Sequence, residues 1–463
     1  MEMLPRNHGD AMAVCKAYLN DNTTTTKFGD KTFEFIQLNI IDKIASGSNI
    51  KDNLDSFKFD TIAMNRLKEM IYTGSVRLFA LAIYCDVSLP DLNILIKDYS
   101  DEDLPFPPDH QLGKTGELSG AIFETIRNSQ DRFLAPYFRE KQYRDDFTDC
   151  PIPVEFTKGT KPDIGEGSGG RVYKARIRYS HFYFSRKGQL YDGWSNNFAL
   201  KVSKFRKDAE RERDFLESLA EHEVTHEHIT TFYTGFVFEQ NIYLIAELAD
   251  SNLDEFMEKY PERRAVGDLD REWLLAQLNG LAGALFTIHN MIRYHHDIKP
   301  TNILVFNDPS ADVKHRLKFT DFGSAGNGMS SSPTGSSTKS KVRGTTPMLL
   351  PEAHNNGFSS RPHDDWSLGC VFLDLLMWYH TGWENVKEFR FKVMEESEAW
   401  CYYDVIDEKK VVTGRVSTAL DELAQVEGEL VGVIREMLEI DPGSRLKAAR
   451  VFDRLWKMVE QLM

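Results

Sequence analysis

Cysteine is scarce in this sequence, with five residues among 463. The five are Cys15, Cys85, Cys150, Cys370 and Cys401, an odd number without any CxxC pair. A disulfide framework needs an even number of cysteines, and zinc sites usually need closely spaced pairs. Both are therefore disfavoured, and a reducing compartment is indicated. We expect a cytoplasmic protein, with the nucleus left open as an alternative.

Long apolar runs are also missing. The most apolar segment, "VFLDLLMW", is short and contains Asp374, and the first residues, "MEMLPRNHGDAMAV", lack a basic segment followed by an apolar one. A membrane-spanning helix needs about 20 apolar residues, and a signal peptide needs that basic and apolar pair. We therefore expect neither export nor a membrane partner.

Positive charge is in deficit, since 56 Lys and Arg stand against 71 Asp and Glu and give a net charge of −15. Binding to nucleic acid or to anionic lipid depends on Lys and Arg contacts to phosphate. Both partners are therefore disfavoured. The excess of acid most simply keeps the protein in solution.

The pattern along the chain divides it into three regions, which agrees with the two or three domains expected from its length. Residues 1–150 show helical periodicity, as in the stripe Ile62, Met64, Leu67, Met70 and Ile71. Residues 155–250 contain strand-like segments rich in β-branched and aromatic residues, and helical segments return over 251–463. We find no internal repeat, and one low-complexity stretch covers 326–341.

A glycine-rich segment, "IGEGSGGRV", places Gly165, Gly167 and Gly170 in a GxGxxG spacing between Ile164 and Val172. Glycines let backbone amides approach phosphate oxygens without an intervening side chain. A dinucleotide site would lead into a helix, and a Walker loop would end in Lys and Ser or Thr, whereas strand-like sequence follows here. A tight β-hairpin and a hairpin over nucleotide phosphates both remain open at this point.

A lysine stands inside the next strand-like segment, "FALKV", at Lys201. Such a lysine is commonly a solvated edge residue, but one placed after the glycine hairpin could also reach a phosphate. The charged helix that follows offers acids to hold it. We choose Glu212 because Leu216 and Leu219 then fall on the adjoining apolar stripe.

Three chemically capable side chains lie close together in "HHDIKPTN", namely Asp297, Lys299 and Asn302. Pro300 disfavours a helix, so they are expected on a loop. An Asp can orient a hydroxyl proton, a Lys can neutralise a transferring phosphate, and an Asn can offer a carbonyl oxygen to Mg²⁺. Asp321, in "FTDFGSA", is a second candidate ligand for Mg²⁺.

In this order and spacing, the motifs resemble those of the eukaryotic-type protein kinases, over roughly residues 155–463. Later segments support the resemblance, among them "GTTPMLLPEA", "DDWSLGC" with Asp364, and "DPGSR", in which Arg445 would pair with Glu352. The helical N-terminal extension is similar to that of a group of filamentous-fungal kinases. The resemblance implies an α+β, two-lobed fold, with a small β-rich lobe over 155–250 and a large helical lobe over 251–463, preceded by a mostly helical region over 1–150.

By this resemblance the chain is expected to transfer the γ-phosphoryl group of ATP to a protein hydroxyl with the help of Mg²⁺. Lys201, held by Glu212, would contact the α- and β-phosphates. Asp297 would act on the substrate hydroxyl and Lys299 on the γ-phosphoryl group, and the Mg²⁺ ligands would be Asn302 and Asp321. The remaining nucleotide-binding positions would be Ile164, Gly165, Gly167, Gly170, Val172, Ala199, Ala246 as gatekeeper, and the backbone of Glu247 and Ala249.

Lys299 together with Thr345 resembles the signature of the serine/threonine class. His296 occupies the position where many kinases carry an Arg that pairs with a phosphorylated activation loop. A neutral imidazole would weaken that clamp. The Ser- and Thr-rich loop over 330–338 is therefore either a modified segment or simply a linker.

Two other function classes stay open, an ATP-binding pseudokinase scaffold and a small-molecule kinase. The first would have lost a chemical residue, and the second would lack the Lys299–Pro300 pair and the later motifs. We also expect the N-terminal region to dock on the kinase-like domain, because no long flexible linker separates them at "DCPIPVEF".

Overall fold

The computed structural model describes residues 11–46, 61–107, 118–156, 163–167, 170–184, 197–203, 205–263, 267, 269–291, 293–307, 314–327, 351, 361–397, 401–407 and 409–462. Its helices are α1 (Ala11–Asp21), α2 (Leu38–Ile44), α3 (Thr61–Gly74), α4 (Val76–Tyr84), α5 (Leu89–Asp98), α6 (Gly120–Ser129), α7 (Arg206–Glu221), α8 (Leu253–Lys259), α9 (Arg271–Asn290), α10 (Arg361–Thr381), α11 (Trp383–Glu396), α12 (Gly414–Met437) and α13 (Ala448–Glu460). Among the described residues, no helix is both long and apolar enough to cross a bilayer.

The strands alternate with these helices along the chain. They are β1 (Thr23–Phe28), β2 (Lys31–Ile36), β3 (Phe138–Arg139), β4 (Asp145–Asp146), β5 (Val154–Phe156), β6 (Asp163–Gly167), β7 (Gly170–Ile177), β8 (Phe182–Tyr183), β9 (Asn197–Ser203), β10 (Phe232–Phe238), β11 (Asn241–Ala246), β12 (Ser251–Asn252), β13 (Arg293–Tyr294), β14 (Ile303–Phe306), β15 (Arg316–Phe319), β16 (Gly326–Asn327), β17 (Tyr403–Ile406) and β18 (Lys409–Val412). The composition is α+β, as the sequence predicts.

The chain divides into two compact units whose bounds differ from the three predicted regions. The first comprises 1–165, 172–200 and 233–245, and the second 166–171, 201–232 and 246–463. Helix α7 and the segment after β11 therefore belong to the second unit, although both lie within the 155–250 region of the sequence.

The first unit contains a helical core in its N-terminal part. Helix α4 is buried nearly throughout. The other five helices of this part bury apolar residues in the same core, among them Leu19, Ile41, Leu67, Leu92 and Phe123. The stripe predicted on α3 is correct for Met64, Leu67 and Ile71 but wrong for Ile62, which is 77% exposed. Ile62 precedes Met64 by two residues, a rotation of about 200° around the helix axis, so it lies away from the buried face.

A β-hairpin that the sequence analysis did not anticipate interrupts these helices. Strands β1 and β2 pair antiparallel, from Thr23 opposite Ile36 to Phe28 opposite Lys31. Gly29 at the turn has φ +60°, which glycine tolerates better than residues with a Cβ.

The second core of the first unit lies on one face of a seven-stranded sheet. The strand order is β4-β10-β11-β9-β7-β5, with β6 also paired to β7. Phe28 from the hairpin belongs to this core and is fully buried. Its ring centroid lies 5.6 Å from Phe156, 5.1 Å from Phe238 and 5.0 Å from Tyr243. Thr26 donates a hydrogen bond to the carbonyl of Val154 at 2.9 Å.

The outer edge of β10 is covered by residues 141–148. The amide of Lys141 donates to the Tyr233 carbonyl at 2.7 Å, and the amide of Phe147 donates to Val237 at 2.9 Å. Between them, the amide of Gly235 donates to the Gln142 carbonyl at 2.8 Å. This segment satisfies backbone groups that an edge strand would otherwise leave unpaired.

The second unit is mostly helical. Helix α9 begins at the N-cap Asp270, which accepts a hydrogen bond from the Trp273 amide at 2.8 Å. Its length is buried, and Asn279 donates to the carbonyl of Phe452 on α13 at 2.9 Å. The small sheet β12-β14-β15 carries the loops that hold the predicted Asp297 and Asp321.

Candidate active site

The predicted lysine and glutamate form a buried ion pair in the second unit. Lys201 Nζ on β9 lies 2.7 Å from the carboxylate of Glu212 on α7 and 2.9 Å from Asp321 Oδ1. Glu212 is completely buried, and Lys201 is 8% exposed. Alternation on β9 places Phe198 and Leu200 in the sheet core and Lys201 on the opposite face, which explains how an apolar strand can present a lysine.

Charge and burial oppose each other at Lys201 and at Asp321. Burial by itself would lower the pKa of Lys201, but the carboxylates of Glu212 and Asp321 outweigh it and raise the pKa above its ordinary value. Burial likewise opposes ionisation of Asp321, yet Lys201 lowers the pKa of Asp321 below its ordinary value. The site is therefore set with an ammonium and an ionised carboxylate at neutral pH.

The three residues of the predicted catalytic loop also lie together. Lys299 Nζ is 2.7 Å from Asp297 Oδ2, and Asn302 Nδ2 donates to the same oxygen at 2.8 Å and to the Asp297 carbonyl at 2.8 Å. Pro300 to Asn302 form a single 3₁₀ turn. Both partners bond to Oδ2, and among the described residues no hydrogen bond to the other carboxylate oxygen of Asp297 is present.

A buried aspartate on helix α10 fixes this loop. The amides of His295 and His296 donate to the two carboxylate oxygens of Asp364 at 2.8 Å each, and His289 lies 3.1 Å away. Burial opposes ionisation of Asp364, but the hydrogen bond and charge of His289 lower its pKa to about 2. His296 has φ +68°, a backbone conformation that costs energy for a residue other than glycine. The two hydrogen bonds from the backbone amides to Asp364 hold it in place.

Asp321 takes a left-handed backbone conformation, with φ +63° and ψ +75°. The following Phe322 stacks on Phe215 of α7 at a ring distance of 4.3 Å and lies 5.0 Å from His295. The amide of Thr320 donates to the Asn302 carbonyl at 3.0 Å. The segment carrying Asp321 is therefore tied both to α7 and to the loop carrying Asp297.

The donor set fits a magnesium ion shared with phosphate oxygens. Asn302 uses its Nδ2 group for Asp297, which leaves its Oδ1 as a neutral oxygen ligand, and Asp321 supplies a carboxylate. In the described part of the chain, no three His, Cys, Asp or Glu side chains gather into a metal centre. Mg²⁺ commonly takes one or two protein oxygens together with substrate phosphates and water, and these two side chains carry oxygen donors of that kind.

The glycine-rich segment forms strands β6 and β7. Ile164, Gly165 and Gly167 lie on β6. Gly170 starts β7 with φ +145°, and a Cβ atom built there would lie 2.3 Å from the Val202 carbonyl oxygen. Only glycine fits at Gly170.

Val172 on β7 and Ala199 on β9 occupy adjacent strands of the sheet. Each alternates with residues of the aromatic core, which places both on the opposite sheet face. In the second unit, Ala246 ends β11 and is 5% exposed. Glu247 is buried and Ala249 is half-buried in the segment that follows.

Several expectations fall outside the described residues. These are Thr345, the Ser- and Thr-rich loop over 330–338, and Glu352. Arg445, the expected partner of Glu352, is 2% exposed and donates to the carbonyls of Glu439 at 2.9 Å and Pro362 at 2.6 Å.

Two functional features escaped the sequence analysis. The carboxylate of Glu247 pairs with Lys318 at 2.6 Å, and the ring of His295 contacts the Thr320 carbonyl at 3.0 Å. The two histidines of "HHD" look alike in the sequence, but only His295 is directed at the Asp321 segment. A lysine inside a strand next to the "DFG" motif was the available signal for the ion pair.

Comparison with known proteins matches residues 159–457 to the family described as protein kinase domain. Serine/threonine-protein kinase 33 of Bos taurus is 26% identical over 299 residues, which cover 63% of this chain and 53% of that protein. Serine/threonine-protein kinase chk-2 of Caenorhabditis elegans is 26% identical over 314 residues, covering 66% and 58%. An Aurora kinase of Patiria pectinifera is 30% identical over 216 residues, covering 46% of each chain.

The chain spans about half of the length of these relatives. The family match covers well over half of this chain and includes the ion pair, the loop around Asp297 and the segment around Asp321. On the match and the geometry together, the chain belongs to the family of protein kinase domains.

Proposed function

We propose that this chain is a serine/threonine protein kinase that transfers the γ-phosphoryl group of ATP to a protein hydroxyl. One observation carries the proposal: the second unit holds the Lys201–Glu212–Asp321 network and the Asp297–Lys299–Asn302 group, each complete and hydrogen-bonded. A pseudokinase scaffold has no need for this complete set.

In this proposal the protein acts by positioning and by electrostatics. Lys201 binds the α- and β-phosphates, and Glu212 keeps its ammonium group in place. Asp297 orients the substrate hydroxyl and takes up its proton through the oxygen that Lys299 and Asn302 leave available. Lys299 neutralises charge on the γ-phosphoryl group as the bond to the β-phosphate oxygen breaks.

Asn302 and Asp321 would hold Mg²⁺, which would supply positive charge to offset that of the phosphates. Val172 and Ala199 would be the adenine-binding positions of the first unit, and Ala246 with the backbone of Glu247 and Ala249 those of the second. The small side chain of Ala246 would leave space behind the base.

The test is transfer of radiolabel from γ-labelled ATP to a generic basic protein. We expect transfer by the wild-type chain and a loss of several orders of magnitude in Asp297→Asn, which keeps the shape of the side chain. Asp407→Asn, an exposed site on the β17–β18 hairpin, serves as a matched control and should retain transfer. Unchanged turnover in Asp297→Asn would rule out the assignment.

We further propose that the N-terminal region docks on the kinase domain within the first unit. Support comes from Phe28 in the core of the sheet and from residues 141–148 along β10. His181 adds a third connection, because its Nδ1 donates to the Pro136 carbonyl at 2.8 Å and its Nε2 accepts from the Leu38 amide at 3.2 Å. Removal of the residues before position 150 tests this proposal.

The five cysteines are free thiols, which supports a reducing compartment. We propose a cytoplasmic location, with the nucleus as the alternative. Fluorescent tagging of the full chain in cells tests the location.

A further inference from the structure

A buried ion pair lies at the segment assigned to adenine recognition. Lys318 Nζ on β15 is 2.6 Å from Glu247 Oε1, and the same oxygen accepts the Thr231 amide at 2.6 Å. The Glu247 amide in turn donates to the Thr231 carbonyl at 2.9 Å. Lys318 Nζ also lies 4.6 Å from the centre of the Phe306 ring. Glu247 therefore has both its side chain and its amide committed to protein partners.

Burial makes this pair costly to keep. Glu247 is 7% and Lys318 is 6% exposed, so both charges have left water. Replacing such a pair with apolar residues of similar volume is often neutral or stabilising. Stability alone thus gives a poor reason for these two residue types, and a role in fixing the position of the backbone explains them better.

The segment after β11 is held at both ends. Glu247 forms its first anchor, and Asp250 forms the second, because its amide donates to Val305 at 3.0 Å and its carboxylate accepts the Asn307 amide at 2.7 Å. Between the anchors lies Ala249, half-buried, and within the described part of the chain its amide donates no hydrogen bond. The free donor is therefore presented by a short segment with restrained ends.

We propose that Lys318 is a positioning residue for the nucleobase: through Glu247 it sets the Glu247 carbonyl and the Ala249 amide at the distance that an adenine edge requires. This inference rests on the proposed function and deepens it. Lys318 lies on β15, and Asp321 follows the end of that strand by two residues. In this proposal, one short stretch of chain therefore supports the base through Glu247 and the metal through Asp321.

The main test removes both charges together. In the double variant Glu247→Gln/Lys318→Met, the Gln side chain still accepts the Thr231 amide and no unpaired buried charge remains. We expect the Kd of ATP to rise about tenfold, as for loss of other outer-shell supports. The Kd of inorganic tripolyphosphate, which has no base, should stay unchanged, and the KM for ATP should rise far more than kcat falls.

The same strand offers a matched control. Arg316 pairs with the exposed Glu227 at 3.0 Å, and within the described part of the chain it makes no ion pair with Glu247. Arg316→Met should leave the Kd of ATP at the wild-type value. The single variant Glu247→Gln is a harsher probe, because it leaves the Lys318 ammonium buried without an opposing charge. It should weaken ATP binding at least as much as the double variant, with tripolyphosphate again unchanged.

The outcomes separate this inference from the proposed activity. An unchanged Kd of ATP in the double variant, or an equal loss for ATP and tripolyphosphate, would overturn the positioning role and leave phosphotransfer intact. Wild-type chain that binds no nucleotide would overturn both.

Discussion

The buried carboxyl group of Asp365 should lower the stability of the protein at neutral pH by an amount that follows from its pKa. This group, on the buried face of α10, is 1% exposed and accepts one hydrogen bond, from the Ala448 amide at 2.9 Å. Burial raises the pKa of Asp365 to about 7; His289 and Arg445 lower it and the neighbouring Asp364 raises it. We predict that Asp365→Asn stabilises the protein, and does so more at higher pH.

The sign follows from linkage between protonation and folding. Below the ordinary pKa of 3.8 the carboxyl group is protonated in both states, and its contribution to stability is fully present. As the pH rises from there to about 7, the unfolded chain releases its proton and the native chain does not, so stability falls. A pKa difference of about three units amounts to about 4 kcal/mol above pH 7, and to about 1.5 kcal/mol at pH 5.

A competing effect would act in the opposite direction. The carboxylate lies at the N-terminus of α13, where a negative charge typically contributes 0.3–1 kcal/mol and at most about 2 kcal/mol. Because burying the charge costs more than the helix terminus contributes, the neutral Asn side chain should give the more stable protein. Asn keeps the oxygen that accepts the Ala448 amide, so Asp365→Asn removes the charge and retains the cap.

The assay is thermal unfolding at a fixed scan rate between pH 5 and pH 8. We expect the midpoint of Asp365→Asn to exceed that of the wild type by an amount that grows with pH and reaches on the order of 5 °C or more. The same exchange at exposed Asp407 should leave the midpoint close to that of the wild type. A variant less stable than the wild type at pH 8, or a constant gap, would refute the reasoning.

Three further predictions follow from the site and from the first unit. Asp321→Asn should remove the Mg²⁺-dependent part of ATP affinity, measured by titration with and without the metal. Asp297→Asn should bind nucleotide almost normally, because only Asp321 is assigned to the metal. Equal losses of affinity in the two variants would contradict these roles. Phe28→Ala should lower the free energy of unfolding by about 3–5 kcal/mol. A truncated chain starting at residue 150 should unfold at a temperature well below that of the full chain. A truncated chain as stable as the full chain would rule out docking. Turnover at pH 7.5 should survive phosphatase treatment and replacement of the hydroxyl side chains over 330–340. Burial lowers the pKa of His296 to about 4, so the imidazole carries no charge with which to bind a phosphate. A large loss of turnover in both experiments would contradict this, and His296→Arg should make turnover depend on phosphorylation.

The parts of the site that the sequence predicts are those that lie close together in the chain. Asp297, Lys299 and Asn302 fall within six positions, and their types and spacing limit what they can do. Glu212 could be selected from several acids because helical periodicity relates it to the apolar stripe of α7. When residues lie close together in the sequence, local backbone structure limits their relative positions, so that these positions can be predicted from the sequence.

The missed features depend on contacts between distant segments or on competing patterns. Glu247 and Lys318 are 71 residues apart, and no local pattern relates them. The hairpin of β1 and β2 did carry a local signal, a Thr-rich run followed by Gly29 and Asp30, but the stronger helical periodicity around it obscured that signal. Asp365 inside an apolar helix was a visible conflict between residue type and burial.

The cover on β10 has a consequence for how copies of the protein meet. Residues 145 and 146 pair with β10 in parallel, opposite Phe236 and Val237, and form the last strand on that side of the sheet. Both are exposed aspartates. A second copy approaching with the same edge would bring four carboxylates together, and charged edge strands resist such pairing. The segment that closes the sheet thereby also keeps it from growing into a larger one shared between molecules.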